Sequence, residues 1–204
     1  MNIKIPARFI AALKYFAATQ DIRYYLNGIY IEAAGDDTIL VATDGHRIGY
    51  ARVAATLPAG TQMIVPNDIL RAVKAKGDVA IALDGNALTL TYDGATYSGK
   101  AIDGKYPEWR RTLPKELSGV AGQYNAGYLG DLGKVAAILV RAGKQPTIAQ
   151  NGEGPAFISF DGEQNFYATL MPMRAIPLPN VPQWLKPVET KPIAKRRAVQ
   201  KKAA

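Results

Sequence analysis

The sequence predicts an α+β fold in which three βαβββ units carry their helices on one face of their sheets. Three observations lead there. A short strand, a helix and three further strands recur along the chain at a spacing of roughly 50 to 60 residues, a period typical of stacked repeat units. Asp-Gly pairs punctuate the runs of alternating apolar and polar residues, where tight turns are needed. The helical stretches are short, and each has one apolar stripe, as expected of helices lying on a single sheet face.

The first unit opens with a strand over Asn2–Ile5, followed by a helix over Ala7–Ala18. Pro6 suits the start of that helix, because its missing N–H has no partner there in any case. Phe9, Ile10, Leu13, Phe16 and Ala17 fall on one helical face. Strands follow at Gly28–Glu32, Thr38–Thr43 and Arg47–Val53, with turns at Asp36-Asp37 and Asp44-Gly45. The second unit has a strand at Gln62–Val65 and a helix over Asn67–Lys76 capped by Asn67, with Ile69, Leu70 and Val73 inward. Gly77-Asp78 ends that helix. Strands at Val79–Leu83, Ala87–Tyr92 and Ala95–Ile102 come next, with hairpin turns at Asp84-Gly85-Asn86 and Asp93-Gly94. The third unit has a strand at Val120–Tyr124, then an Asn125-capped helix over Ala126–Arg141 that buries Leu129, Leu132, Val135, Ala136 and Leu139. Strands at Thr147–Gln150, Ala156–Phe160 and Asn165–Met171 complete it, with a turn at Asp161-Gly162. From Ile176 onward, five prolines precede Ile193, which denies both helix and ladder hydrogen bonding. Residues 176–204 are therefore expected to form an extended linker and a disordered basic tail.

Composition narrows the function. The chain has 204 residues, no cysteine and one histidine, His46. Disulfides and thiolate metal sites are excluded, as is any multi-histidine metal centre. The net charge of +8 points to an acidic partner such as nucleic acid. That charge is uneven: residues 186–204 hold seven Lys/Arg against one Glu, while the preceding 185 residues are nearly balanced. The apolar stretch near the N-terminus is too short and too interrupted to span a membrane, and no signal-peptide cleavage pattern follows it, so a cytoplasmic protein is expected. Adjacent residues on a tight turn rarely face each other, so Asp44 and His46 make a poor acid–base pair, and no nucleophile accompanies them. There is no phosphate loop or dinucleotide fingerprint. A protein without catalysis, cofactor or metal is expected.

Four segments carry a resemblance. They are Arg23-Tyr24-Tyr25-Leu26-Asn27-Gly28, Val41-Ala42-Thr43-Asp44-Gly45-His46-Arg47, Asp103-Gly104-Lys105-Tyr106-Pro107-Glu108-Trp109-Arg110-Arg111, and Leu170-Met171-Pro172-Met173-Arg174. In this order they resemble the β sliding clamp family of bacterial DNA polymerase III. Residues 1–116 are similar to the clamp's middle domain, in two units (1–60 and 61–116). Residues 117–175 are similar to the second half of its last domain. The resemblance implies the DNA-clamp fold, with helices facing duplex DNA and sheets outside, and a sequence-independent tether for a polymerase, with a clamp loader as a further partner. It also implies a peptide-binding pocket of Arg23, Tyr25, Leu26, Thr43, Gly45, His46, Arg47, Ile48, Pro107, Arg111, Thr112, Leu170, Met171, Pro172, Met173 and Arg174. Methionines and prolines there suit varied apolar anchors. Basic residues on the helices, Arg8, Lys14, Arg71, Lys74, Lys134 and Arg141, suit phosphate contacts without base reading. The chain departs from the family pattern at Ile48, Thr112 and Thr169, and it continues past Arg174.

Rings of this family contain twelve half-domains, and the chain offers three. Four copies would match that count if the third unit paired sheet edges with the first unit of the next copy. The alternative is a non-ring adaptor or competitor that binds clamp-interaction peptides, as a phage- or mobile-element-encoded protein could. Gln183-Trp184-Leu185 loosely resembles the peptides such pockets hold, and it also reads as ordinary linker.

Overall fold

The computed structural model describes residues 2–140, 145–174, 177 and 180–185. Unit one comprises β1 (Asn2–Pro6), α1 (Ala7–Leu13), β2 (Gly28–Ala34), β3 (Asp37–Thr43) and β4 (Arg47–Val53). Unit two comprises β5 (Gln62–Pro66), α2 (Asn67–Leu70), β6 (Asp78–Asp84), β7 (Ala87–Tyr92) and β8 (Ala95–Lys100). Unit three comprises α3 (Ala126–Leu139), β9 (Pro146–Ala149), β10 (Ala156–Phe160) and β11 (Glu163–Leu170). The strands form two antiparallel sheets, ordered β1-β6-β7-β8 and β5-β2-β3-β4-β11-β10-β9.

Two features of this order matter for the site. Units one and two exchange their first strands: β1 joins β6, and β5 joins β2. Unit three is fused to unit one through β4 and β11, in register from Arg47↔Leu170 to Ala51↔Phe166. Within the chain β11 already occupies the β4 edge, so the expected pairing of unit three with the first unit of a neighbouring copy would fall to β1, which ends the four-stranded sheet.

The core lies between the helices and the inner sheet faces. Phe166 of β11 contacts Phe9, Phe16 and Phe160, with ring centroids 5.5–6.2 Å apart, so unit three and α1 share one aromatic cluster. Gly49 of β4 makes room for it: a Cβ there would stand 2.6 Å from the Phe16 ring. A second cluster covers the outer face, built from Leu26, Tyr30, Val41, Ile48, Tyr50, Ile64, Tyr106 and Trp109.

Several elements differ from the sequence expectation. The α1 helix stops at Leu13, although Phe16 and Ala17 stay buried. The α2 helix is a single turn, Asn67–Leu70, where a helix to Lys76 is expected. Lys14 Nζ explains this, because it donates to the carbonyls of Leu70 (3.4 Å), Arg71 (3.4 Å) and Val73 (2.7 Å), which an extended helix would use internally. Asn67 is not the cap: its side-chain amide donates to Ala18 O at 2.8 Å, and Pro66 holds the cap position. Asn125 does cap α3, accepting from Gly127 N and Tyr128 N. Leu129, expected to be buried, is 36% exposed. The turn before β3 is centred on Gly35-Asp36, one residue earlier than expected. Val120–Tyr124 forms no strand, because among the described residues unit three has no second unit whose sheet it can join.

Candidate peptide-binding groove and nucleic-acid interface

The β4–β11 seam brings the four sequence segments together on the outer face, the first of them through Leu26 and Arg23. Period-2 alternation sorts their side chains. In β4, Ile48 and Tyr50 point outward into the second cluster, while Gly49 and Ala51 face α1 and the core. In β11, Phe166, Ala168 and Leu170 point inward, and Tyr167 and Thr169 outward. The groove floor is therefore Leu26, Ile48, Tyr50 and Thr169, all buried. Leu170, expected in the pocket, belongs to the inner core.

The loop between β3 and β4 is held by its own side chains. Thr43 Oγ1 donates to Arg47 O (2.8 Å) and accepts from Gly45 N (3.0 Å). Asp44 Oδ1 accepts from His46 N (2.9 Å) and Arg47 N (3.0 Å). Gly45 has φ +92°, a conformation that favours glycine, and the Arg23 guanidinium lies 3.0 Å from where a Cβ would stand. Arg23 itself is clamped by Asp21, whose carboxyl is held down at about 2 by the hydrogen bonds from Arg23. His46 O accepts from Met171 N (2.9 Å), and Gln123 O accepts from Met173 N (2.7 Å), which fixes the Met171–Arg174 run as one wall. Met171 and Met173 are each 45% exposed, as an apolar capture surface requires. His46 and Arg174 are exposed at the rim, with Pro172 half-buried. Tyr25 is also half-buried, its ring edge-on to Tyr24.

Arg47 does not face the groove. Its guanidinium bonds Asp44 Oδ2 and Asp131 Oδ2, both at 2.9 Å, and covers the Tyr128 ring at 4.3 Å. It thus joins unit one to α3 and is a positioning residue. Hydrogen bonds from Lys134 and then Arg47 hold the Asp131 carboxyl below its usual range.

The opposite wall is the connector Pro107–Thr112, anchored by buried Trp109 against Tyr50 (centroids 5.3 Å) and by Tyr106 stacked on Tyr30 (4.6 Å). Burial, with a hydrogen bond to Glu32, pushes the Tyr30 phenol up to about 12. Arg110 covers the Trp109 ring and pairs with Glu32 at 2.6 Å. Pro107 and Arg111 are exposed. Thr112 Oγ1 lies 2.6 Å from Trp109 O and 3.1 Å from Tyr50 Oη, which lies 3.0 Å from Thr169 Oγ1. One hydroxyl carries one proton, so the order follows: Thr112 donates to the Trp109 carbonyl, Tyr50 to Thr112, and Thr169 to Tyr50. Tyr50 and Thr169 are the groove residues missing from the expected pocket. Outward alternation from Ile48 and from Tyr167 was the signal that marked them. Beside them a cavity of about 500 Å³, lined by Ile39, Tyr50, Trp109 and Tyr167 among others, continues along the outer face.

The basic set is divided. Arg8 pairs with the buried carboxylate of Glu163 (3.1 Å), and Lys14 is spent on α2 carbonyls, with burial lowering its pKa. Arg71 and Lys74 are exposed, Arg71 beside Asp68. Lys134 is 63% exposed and pairs with Asp131. Arg141 lies outside the described residues, as do the linker and tail apart from 177 and 180–185. Gln183–Leu185 forms a 3-10 turn with Trp184 81% exposed.

Residues 2–108 match the family model of the DNA polymerase III beta subunit, central domain. The chain belongs to that family. A beta sliding clamp of Pseudomonas aeruginosa is 36% identical over 115 residues, covering 53% of this chain and 31% of the relative. The Escherichia coli beta sliding clamp is 31% identical over 114 residues with the same coverage. The chain thus spans about a third of the length of these curated relatives. Among solved structures, a P. aeruginosa DNA polymerase sliding clamp aligns with TM-score 0.68 and 20% identity over 86% of this chain and 66% of that one. A Caulobacter crescentus beta sliding clamp aligns with TM-score 0.60, over 85% and 66%. The clamp fold therefore extends beyond the matched region into unit three, and the expected α+β architecture stands. No helix among the described residues is long and apolar enough to cross a membrane.

Proposed function

We propose that the chain is a clamp-like processivity factor without catalysis of its own. As a homo-oligomer it surrounds duplex DNA without reading sequence, and its outer-face groove holds a polymerase or another replication or repair protein by a short peptide. The observation that carries this reading is the convergence of the Thr43–Ile48 loop, the Pro107–Thr112 connector and the Met171–Arg174 run around one buried floor at the β4–β11 seam. Exposed methionines beside a rigid wall offer an adaptable apolar seat with hydrogen-bonding groups at its edge. The exposed cations Arg71, Lys74 and Lys134, with the basic tail, supply phosphate attraction. We divide the chain as a clamp domain at 1–116, a half-domain at 117–175 and a tail at 176–204. A clamp loader would engage the same groove, and no cofactor enters the reading.

The test is topological. Protein loaded on closed circular DNA should stay bound through a salt wash and be released when the circle is cut, while clamp-binding peptides compete with polymerase for the groove. Peptide capture without any difference between circular and linear DNA would make the chain a non-ring adaptor. Failure of both would overturn the reading.

A further inference from the structure

Units one and two complete each other by reciprocal strand exchange. The first strand of each lies along the first helix-following strand of the other, through five residue pairs in both cases. The register is also shared. The residue just before each helix faces the first residue of the receiving strand, Pro6 opposite Asp78 and Pro66 opposite Gly28.

Unit three has the same donor and the same acceptor, and no reciprocal unit among the described residues. Among the described residues, β9 pairs only with β10, so its outer edge ends the seven-stranded sheet. The would-be donor, Val120–Tyr124, is held to its own unit by scattered single bonds rather than a ladder. Gly119 N donates to Gln150 O (3.1 Å), Gly152 N to Val120 O (2.8 Å) and Met173 N to Gln123 O (2.7 Å). Val120 is 60% exposed, and nothing stands within 4 Å of a Cβ placed on Gly130 or Gly133 of α3, which leaves that side of the helix open to close approach. The direct run from unit two through Leu113–Ser118 to α3 leaves no room for a further unit between them.

We propose that unit three is completed by unit three of a second copy. Residues 120–124 of each chain add antiparallel to β9 of the other. Each copy lacks one donor and one acceptor of the same geometry, so two copies satisfy each other and leave none over, which is the condition for a closed two-fold contact. Transferring the register of the first two units places Asn125 opposite Pro146, and hence Gln123 opposite Ile148, across the contact. The exchange gives up the three backbone bonds and that from Gly122 N to Gln150 Oε1 (2.8 Å), leaves the Met171–Arg174 wall held by its Met171 N–His46 O bond, and gains a ladder of the kind seen between β1 and β6. The inference rests on the oligomeric part of the proposed function, and its test uses neither DNA nor peptide, so the two fail separately.

The chain has no cysteine, so engineered thiols report without background. Full-length Gln123→Cys and Ile148→Cys proteins, mixed under mild oxidation, should form a disulfide-linked heterodimer. The control mixes Ile148→Cys with Thr96→Cys on β8, the edge strand of the other sheet. Cross-linking about tenfold or more over this control is expected for a pair held within disulfide reach. Equal rates would overturn the proposal. Sedimentation of the unsubstituted protein gives an independent readout. Even-numbered oligomers that grow with concentration are expected, and monomer at every concentration, or a trimer, would overturn it.

Discussion

The hydroxyl relay from Thr169 through Tyr50 and Thr112 to the Trp109 carbonyl ties two neighbouring strands of one sheet to the connector with three protons that each have one place to go. Replacing Tyr50 with Phe leaves the buried Thr169 hydroxyl without its acceptor, which should cost about 1–2 kcal/mol. Denaturant midpoints measure it, and adding Thr169→Val to the Phe variant should recover part of the loss, since both partners are then apolar. Asp131 is the second residue whose loss should be felt across units. Asp131→Asn weakens its bridges to Arg47 and Lys134 and should destabilise by about 1–2 kcal/mol, because Arg47 is only 12% exposed. The sign with pH follows from its lowered pKa. The contribution is complete above the ordinary carboxylate value near 4 and is lost as the pH falls through the lowered value, so the thermal midpoints of wild type and Asp131→Asn should converge in acid.

Elements show what was legible in the sequence. Strand positions were, because Asp-Gly pairs and β-branched alternation are local signals: β4, β7 and β10 occupy the expected residues. The outward placing of Tyr50 and Thr169 and the inward placing of Leu170 were legible too, had the alternation been carried through the four segments. The short α2 was not. Its end is set by a lysine that lies 56 residues earlier in the chain than Leu70, and no local pattern encodes that. Lys14→Met should therefore free three carbonyls, cost about 1–3 kcal/mol, and speed amide exchange over 67–73 more than elsewhere. The missing strand at Val120–Tyr124 was illegible for a related reason. Its alternation is ordinary, and what it lacks among the described residues is a second unit to exchange with.

At the scale of the whole molecule, the charge first read as one property separates into three. Arg8 and Lys14 serve the fold, Arg71, Lys74 and Lys134 remain accessible, and the tail carries most of the excess. Replacing Arg71 and Lys74 together with Gln should weaken duplex binding evenly across sequences and reduce the slope of log affinity against log salt by about 2, one for each lost phosphate contact. Arg8→Gln should instead act on stability, through the Glu163 carboxylate left buried beside it. Truncation after Pro187 should lower affinity for linear and circular DNA alike while leaving any topological retention intact, which gel-shift and circle-retention assays separate.

The β4–β11 seam has a mechanical consequence. Met171 follows directly on the end of β11, whose five paired residues bond to β4 at right angles to the strand axis. A load applied to the Met171–Arg174 run along that axis meets the whole ladder at once, in shear. A load pulling outward would open it one rung at a time. The groove wall thus resists tension best in the direction of its own strand, and a partner hauling along that line would be held by every rung of the seam together.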